Sequence, residues 1–129
     1  MINHVTFGVG HFDRAMSFYD PVLRTLGLSC VSGPLATLAP DKDEVMLAGF
    51  GKDRPFFWIV GEKPVSGLLH IAFGASSRSA VDAFYRAALK AGGTDNGAPG
   101  LRCNYHSHYY AAFIRDPEGH NIEAVCHSS

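Results

Sequence analysis

The chain repeats itself once, and that repeat limits the folds open to it. At an offset of 66 residues, without gaps, His4 pairs with His70, Phe7 with Phe73, Gly8 with Gly74, Phe18 with Phe84, Tyr19 with Tyr85, Leu23 with Leu89 and Gly27 with Gly93. These seven identities fall within the 24 positions 4–27, where composition alone would supply roughly one or two. A unit used twice buries its apolar face against its own copy. The repeat therefore predicts a single domain over residues 1–129, made of two modules at about 1–63 and 67–129. A chain of 129 residues, 47% of them hydrophobic, suffices for one core and not for two ordinary domains.

Within each copy the pattern reads strand, helix, then a hairpin of strands. Residues 2–9 and 68–75 are short, apolar and β-branched. A helix is predicted over 12–26, with Phe12, Ala15, Met16, Tyr19, Leu23 and Leu26 on one stripe and Gly27 as its stop. Pro21 interrupts that stripe and predicts a kink or a helix in two pieces, because an interior proline costs about 3 kcal/mol. The second helix is expected to start near Ser79, with Asp82 completing its cap, and to stop at Gly92 and Gly93. Loops are expected at 31–43 and 94–104, and a tight turn at Asp116, Pro117, Glu118 and Gly119. The class is α+β, two tandem βαβββ modules forming a half-open barrel around a cavity.

Alternation along the strands selects the candidate site. In the first strand Val5, Phe7 and Val9 share an apolar face, so His4 and Thr6 lie on the opposite one. The repeat gives His70 the same setting. In the last strand Ile122, Ala124 and Cys126 face inward, which leaves Glu123 on the cavity side. Two imidazoles and a carboxylate form a set that binds one divalent ion, Fe, Mn, Zn or Ni, and leaves positions open for substrate. If residues 116–119 close a two-residue hairpin loop, Glu123 pairs with Ala112 and Val125 with Tyr110. Tyr110 then lies diagonal to Glu123 as a proton carrier or oxyanion donor, and His108 lies opposite His127. Phe57, Ile59 and Val125 would form an apolar wall, with Thr6, Tyr110 and Arg102 orienting a polar group of a small substrate.

The two strand histidines, the Phe-Tyr helices and the run Asp-Pro-Glu-Gly-His-Asn-Ile-Glu at 116–123 resemble the vicinal-oxygen-chelate superfamily of glyoxalases, bleomycin-resistance proteins and extradiol dioxygenases. The resemblance covers nearly the whole chain. It implies ligands from the first, fourth, fifth and eighth strands. The fourth-strand position falls on Phe57, between Phe56 and Trp58, and none of these binds metal. Three ligands of the type His, His, Glu resemble those of fosfomycin-resistance thiol transferases and extradiol dioxygenases. The resemblance implies a metal-dependent lyase, isomerase, thiol transferase or dioxygenase; the catalytic residues expected from strand parity and register are Glu123 and Tyr110. It allows as an alternative a metal-free, drug-binding protein of bleomycin-resistance type. It also implies a homodimer, in which a site can draw His4 from one subunit and His70 and Glu123 from the other.

The net charge of −1, with no clustered Lys or Arg, argues against nucleic acid as a partner, and no apolar run reaches the length of a membrane span. Three widely spaced cysteines and an N-terminus without a targeting pattern point to the cytoplasm.

Overall fold

The computed structural model describes residues 1–37 and 44–129. Module 1 comprises β1 (Val5–Gly8), α1 (Phe12–Arg24), β2 (Ser29–Thr37), β3 (Val45–Gly51) and β4 (Pro55–Val60). Module 2 comprises β5 (His70–Gly74), α2 (Arg78–Lys90), β6 (Thr94–Leu101), β7 (Tyr110–Arg115) and β8 (Asn121–Cys126). Each forms a four-stranded sheet, ordered β1-β4-β3-β2 and β5-β8-β7-β6. The fold is the expected α+β pair of βαβββ modules, with two open sheets in place of a closed barrel. Both helices and the inner faces of both sheets share one core, in which Phe18 and Phe84, paired by the repeat, are fully buried. Burying each such ring contributes roughly 1.5–3 kcal/mol.

Several local expectations are corrected. α1 is one continuous helix through Pro21 and not two pieces. The carbonyl that loses its partner belongs to Ser17, an exposed residue, so solvent can satisfy it. α2 is capped by Ser77, whose hydroxyl accepts from the Ala80 amide at 3.1 Å, and Asp82 is free for another role. The segments expected as loops at 31–37 and 94–101 are the outer strands β2 and β6, and residues 38–43 lie outside the described residues. Their turn-forming composition reflects register shifts between Cys30 and Leu35 and between Asp95 and Gly100. Gly33 and Gly97 take positive φ of 92° and 146° there, as bulged edge strands allow.

The two modules are joined by the turn after β7. Asp116 accepts the Tyr19 hydroxyl of α1 at 2.5 Å and, on its other oxygen, the amides of Glu118 and His120, both at 2.9 Å. Glu118 accepts the amides of Gly10 at 2.8 Å and His11 at 3.3 Å. His11, the N-cap of α1, offers no side-chain cap of its own. A carboxylate from module 2 thus caps the positive end of the helix in module 1. His120 sets its ring edge-on against Phe7, 5.9 Å between centroids.

The turn also sets the register. Asp116 and His120 pair through backbone, so the loop is three residues, 117–119, with Gly119 at φ 90° as the left-handed residue. Positions paired across β7 and β8 consequently shift by one from the two-residue expectation: Glu123 pairs with Phe113 and Tyr110 with Cys126. A one-residue slip sends every side chain to the other face.

In β4 the repeat offset also slips. Phe7 pairs with Ile59 and Phe73 with Ala124, so the module 1 counterpart of Glu123 is Trp58 and not Phe57. Phe57 packs among Phe7, Tyr19 and Phe73 and belongs to the lining of the cleft between β1 and β5, whereas Ile59 is core and forms no wall. Gly49 pairs with Trp58, and a Cβ on Gly49 would stand 2.8 Å from the indole. Gly49 therefore makes room for the indole.

Two stability measurements follow. Phe57→Glu places an unpaired charge in the core, and urea denaturation should show a loss of several kcal/mol, whereas Trp58→Glu should remain within about 1–2 kcal/mol of the parent; equal losses would contradict this register. Tyr19→Phe leaves an Asp116 oxygen buried without its donor and should cost about 1–3 kcal/mol. Burial, followed by the Asp116 charge, raises the Tyr19 pKa well above its usual 10.0. A raised pKa contributes stability that is complete below about pH 10 and is lost as pH rises through the folded value. Thermal melts at increasing alkaline pH should show this loss in the parent, and Tyr19→Phe should lack that component.

Candidate metal and substrate site

The open face of module 2 carries a cluster of polar and aromatic side chains around Glu123. β5 and β8 run parallel with Ala72 beside Glu123. From the start of β5, His70 reaches across so that its Nε2 lies 2.8 Å from Glu123 Oε1. The His70 side chain is 45% exposed and that of Glu123 is 2% exposed, so the pair has one wet and one dry member. Two donors each about 2.1 Å from an ion and at right angles around it stand about 3 Å apart, which this pair matches.

The second Glu123 oxygen, Oε2, accepts the Tyr109 hydroxyl. Burial, then the hydrogen bond to Glu123, pushes the Tyr109 pKa up to about 12, so the phenol is a neutral donor near neutral pH. Its ring is held edge-on by Tyr105 at 5.1 Å and His127 at 5.2 Å, and His106 packs against His127 at 5.9 Å. The expected pairing of His108 with His127 is replaced by this His106–His127 contact.

Tyr110 points the other way. Its hydroxyl donates to Asp82 of α2 at 2.7 Å, beneath the Arg78 guanidinium. The phenol at the site is thus the preceding residue. Sequence reasoning missed Tyr109 because its register rested on a two-residue loop; the Gly at 119, suited to a left-handed loop position, is the signal that favours three residues.

Arg102 lies over the Phe113 ring, 5.4 Å from its centroid, and spends one donor on the Ala98 carbonyl at 2.7 Å. Phe113 lies 6.2 Å from the His70 ring. A cation and an apolar ring therefore adjoin the His70–Glu123 pair.

The module 1 counterparts are His4, Thr6 and Trp58. Thr6 is exposed and pairs with Trp58 on β4. His4 is exposed, and its Nδ1 stands 2.7 Å from the Asn3 side-chain oxygen. A cleft of about 880 Å³ opens between the β1 and β5 edges, bordered by both His4 and His70, with Val5, Ile71 and Phe73 in its lining and Lys52 and Arg54 at its lip; Glu123 takes no part in it. Among the described residues, no three His, Cys, Asp or Glu side chains come close enough to share an ion. One chain thus assembles two of the three expected ligands, and His4 stands apart.

Among the described residues, no helix is long and apolar enough to cross a membrane. In comparisons with known proteins, the chain is 29% identical over 135 residues to the metallothiol transferase FosB of Shouchella clausii, covering 95% of this chain and 77% of that one. The solved glyoxalase/bleomycin resistance protein of Albidiferax ferrireducens superposes with a TM-score of 0.76 at 27% identity, over 96% of this chain and 97% of that one. Glyoxalase I of Zea mays gives 0.66 at 20% identity, over 96% of this chain and 43% of its own length, a likeness of fold. Residues 1–124 match the model of the Glyoxalase/Bleomycin resistance protein/Dioxygenase superfamily, and the chain belongs to that superfamily.

Proposed function

We propose that this protein is a divalent-metal-dependent enzyme acting on a small molecule, working as a homodimer in which His70 and Glu123 of one subunit and His4 of the partner subunit hold the ion. The reading is carried by the 2.8 Å contact between His70 Nε2 and Glu123 Oε1 on an open sheet face. His4, the repeat counterpart of His70, lies too far away in the same chain to complete a set of three. When bound, an Fe, Mn, Zn or Ni ion would polarise substrate oxygens.

The chain's own residues do the rest. Arg102 orients an anionic or polar oxygen group of the substrate, with four of its five N–H donors uncommitted among the described residues beyond the bond to Ala98. Phe113 supplies an apolar contact beside it, and Thr6 offers a hydroxyl on the equivalent face of module 1. Glu123, nearly buried, turns Oε1 toward His70 and has Oε2 engaged by the Tyr109 hydroxyl. Among lyase, isomerase, thiol-transferase and dioxygenase chemistry, likeness to a metallothiol transferase at 29% identity favours thiol transfer. The position that would supply a fourth ligand is Trp58.

A second reading, a metal-free protein that sequesters a ligand, is favoured by the same separation of His4 from the pair. Elemental analysis of untagged protein separates the two. Near-stoichiometric metal supports the enzyme, and protein that stays metal-free after reconstitution supports the binder. In the enzyme, His4→Ala, His70→Ala and Glu123→Ala should each lose metal while melting close to the Tm of the metal-free parent; metal retained by any two of them would remove the proposed ligand set.

Subunit sharing has its own test. Mixing His4→Ala with Glu123→Ala protein should regenerate about a quarter of the parental metal sites after statistical subunit exchange, because one of the two sites in each heterodimer receives all three ligands. A monomer in sedimentation at micromolar concentration, or a dimer without complementation, would confine the site to one chain.

A further inference from the structure

The Glu123 carboxylate is spoken for on both oxygens by side chains of quite different kinds. Oε1 faces His70, whose side chain is 45% exposed, while Oε2 faces Tyr109. Tyr109 is half-buried and meets the Tyr105 and His127 rings edge-on at 5.1 and 5.2 Å. A hydroxyl on a ring packed against two others can keep its bond as the other side of the carboxylate changes partner.

We propose that Tyr109 is a positioning residue that ties down Glu123 Oε2 and so presents Oε1 alone, on the His70 side, to the ion. The inference rests on the metal reading above and extends it. A free carboxylate can grip an ion with both oxygens and so fill two coordination positions. With Oε2 held by the phenol, Glu123 fills one, and the position spared is available to substrate or water. Partners of this kind, which orient a ligand without touching the metal, commonly set both its affinity and its geometry. The module 1 face has Trp58 where module 2 has Glu123, so module 1 offers no carboxylate at this position for a tyrosine to hold.

The test is titration of the apo dimer with Co(II) alone, followed by its visible absorption, for the parent, Tyr109→Phe and Tyr110→Phe. Phenylalanine keeps the ring and its packing and removes only the hydroxyl, and thermal melts check that the fold is intact. The inference expects Tyr109→Phe to bind Co(II) about 10- to 100-fold more weakly and with weaker visible bands, since absorption by Co(II) falls as its coordination number rises. Tyr110→Phe, whose lost bond is to Asp82 on the helix side, should match the parent in both respects. Parental affinity and an unchanged spectrum in Tyr109→Phe would overturn the inference and leave the metal reading standing. A parent that takes up no Co(II) overturns the metal reading first, and this inference with it.

Discussion

The Asp116 carboxylate is the interaction on which the rest of the structure depends. It accepts three hydrogen bonds, one of them from Tyr19 in the other module, and these shape the turn that begins β8. The same turn carries Glu118 to the uncapped start of α1 and His120 to Phe7. Without this clasp the modules would be joined chiefly by apolar contacts between helices and sheet faces, which specify burial but little orientation. Directional bonds to a buried carboxylate fix how the second module sits on the first, and with it where β8 and Glu123 begin.

Duplication supplied two equal faces, and side-chain divergence made them unequal. Module 2 kept a histidine and a carboxylate in contact and placed a tyrosine behind the carboxylate. Module 1 kept the histidine, at His4, and put an indole where the carboxylate would stand, with Gly49 making room for it. The Phe-Tyr pair of the helices diverged in a similar way. Tyr19 is buried and reaches Asp116 across the module boundary, whereas Tyr85 bonds Asp95 within its own module at 3.0 Å. The conserved shape of the modules is a matter of apolar periodicity. Their different chemistry rests on a few positions that periodicity does not constrain.

Much of the fold was legible in the chain itself. A repeat of identities at one offset, apolar stripes of helical period and short alternating strands carry the element order, the two modules and the shared core, because burial of apolar faces depends on period and composition. Strand parity likewise placed His70 and Glu123 on one face. The tertiary structure decided what depends on a single residue of register. A three-residue loop in place of two moved the phenol from Tyr110 to Tyr109, and a one-residue change of offset moved the carboxylate counterpart from Phe57 to Trp58. Only the assembled modules, too, could show that His4 stands apart from His70 and Glu123 in one chain. Sequence period determines which face a residue shares with its neighbours along a strand; the strand beside it is chosen by turn geometry and module packing, which are set by contacts between residues far apart in the chain.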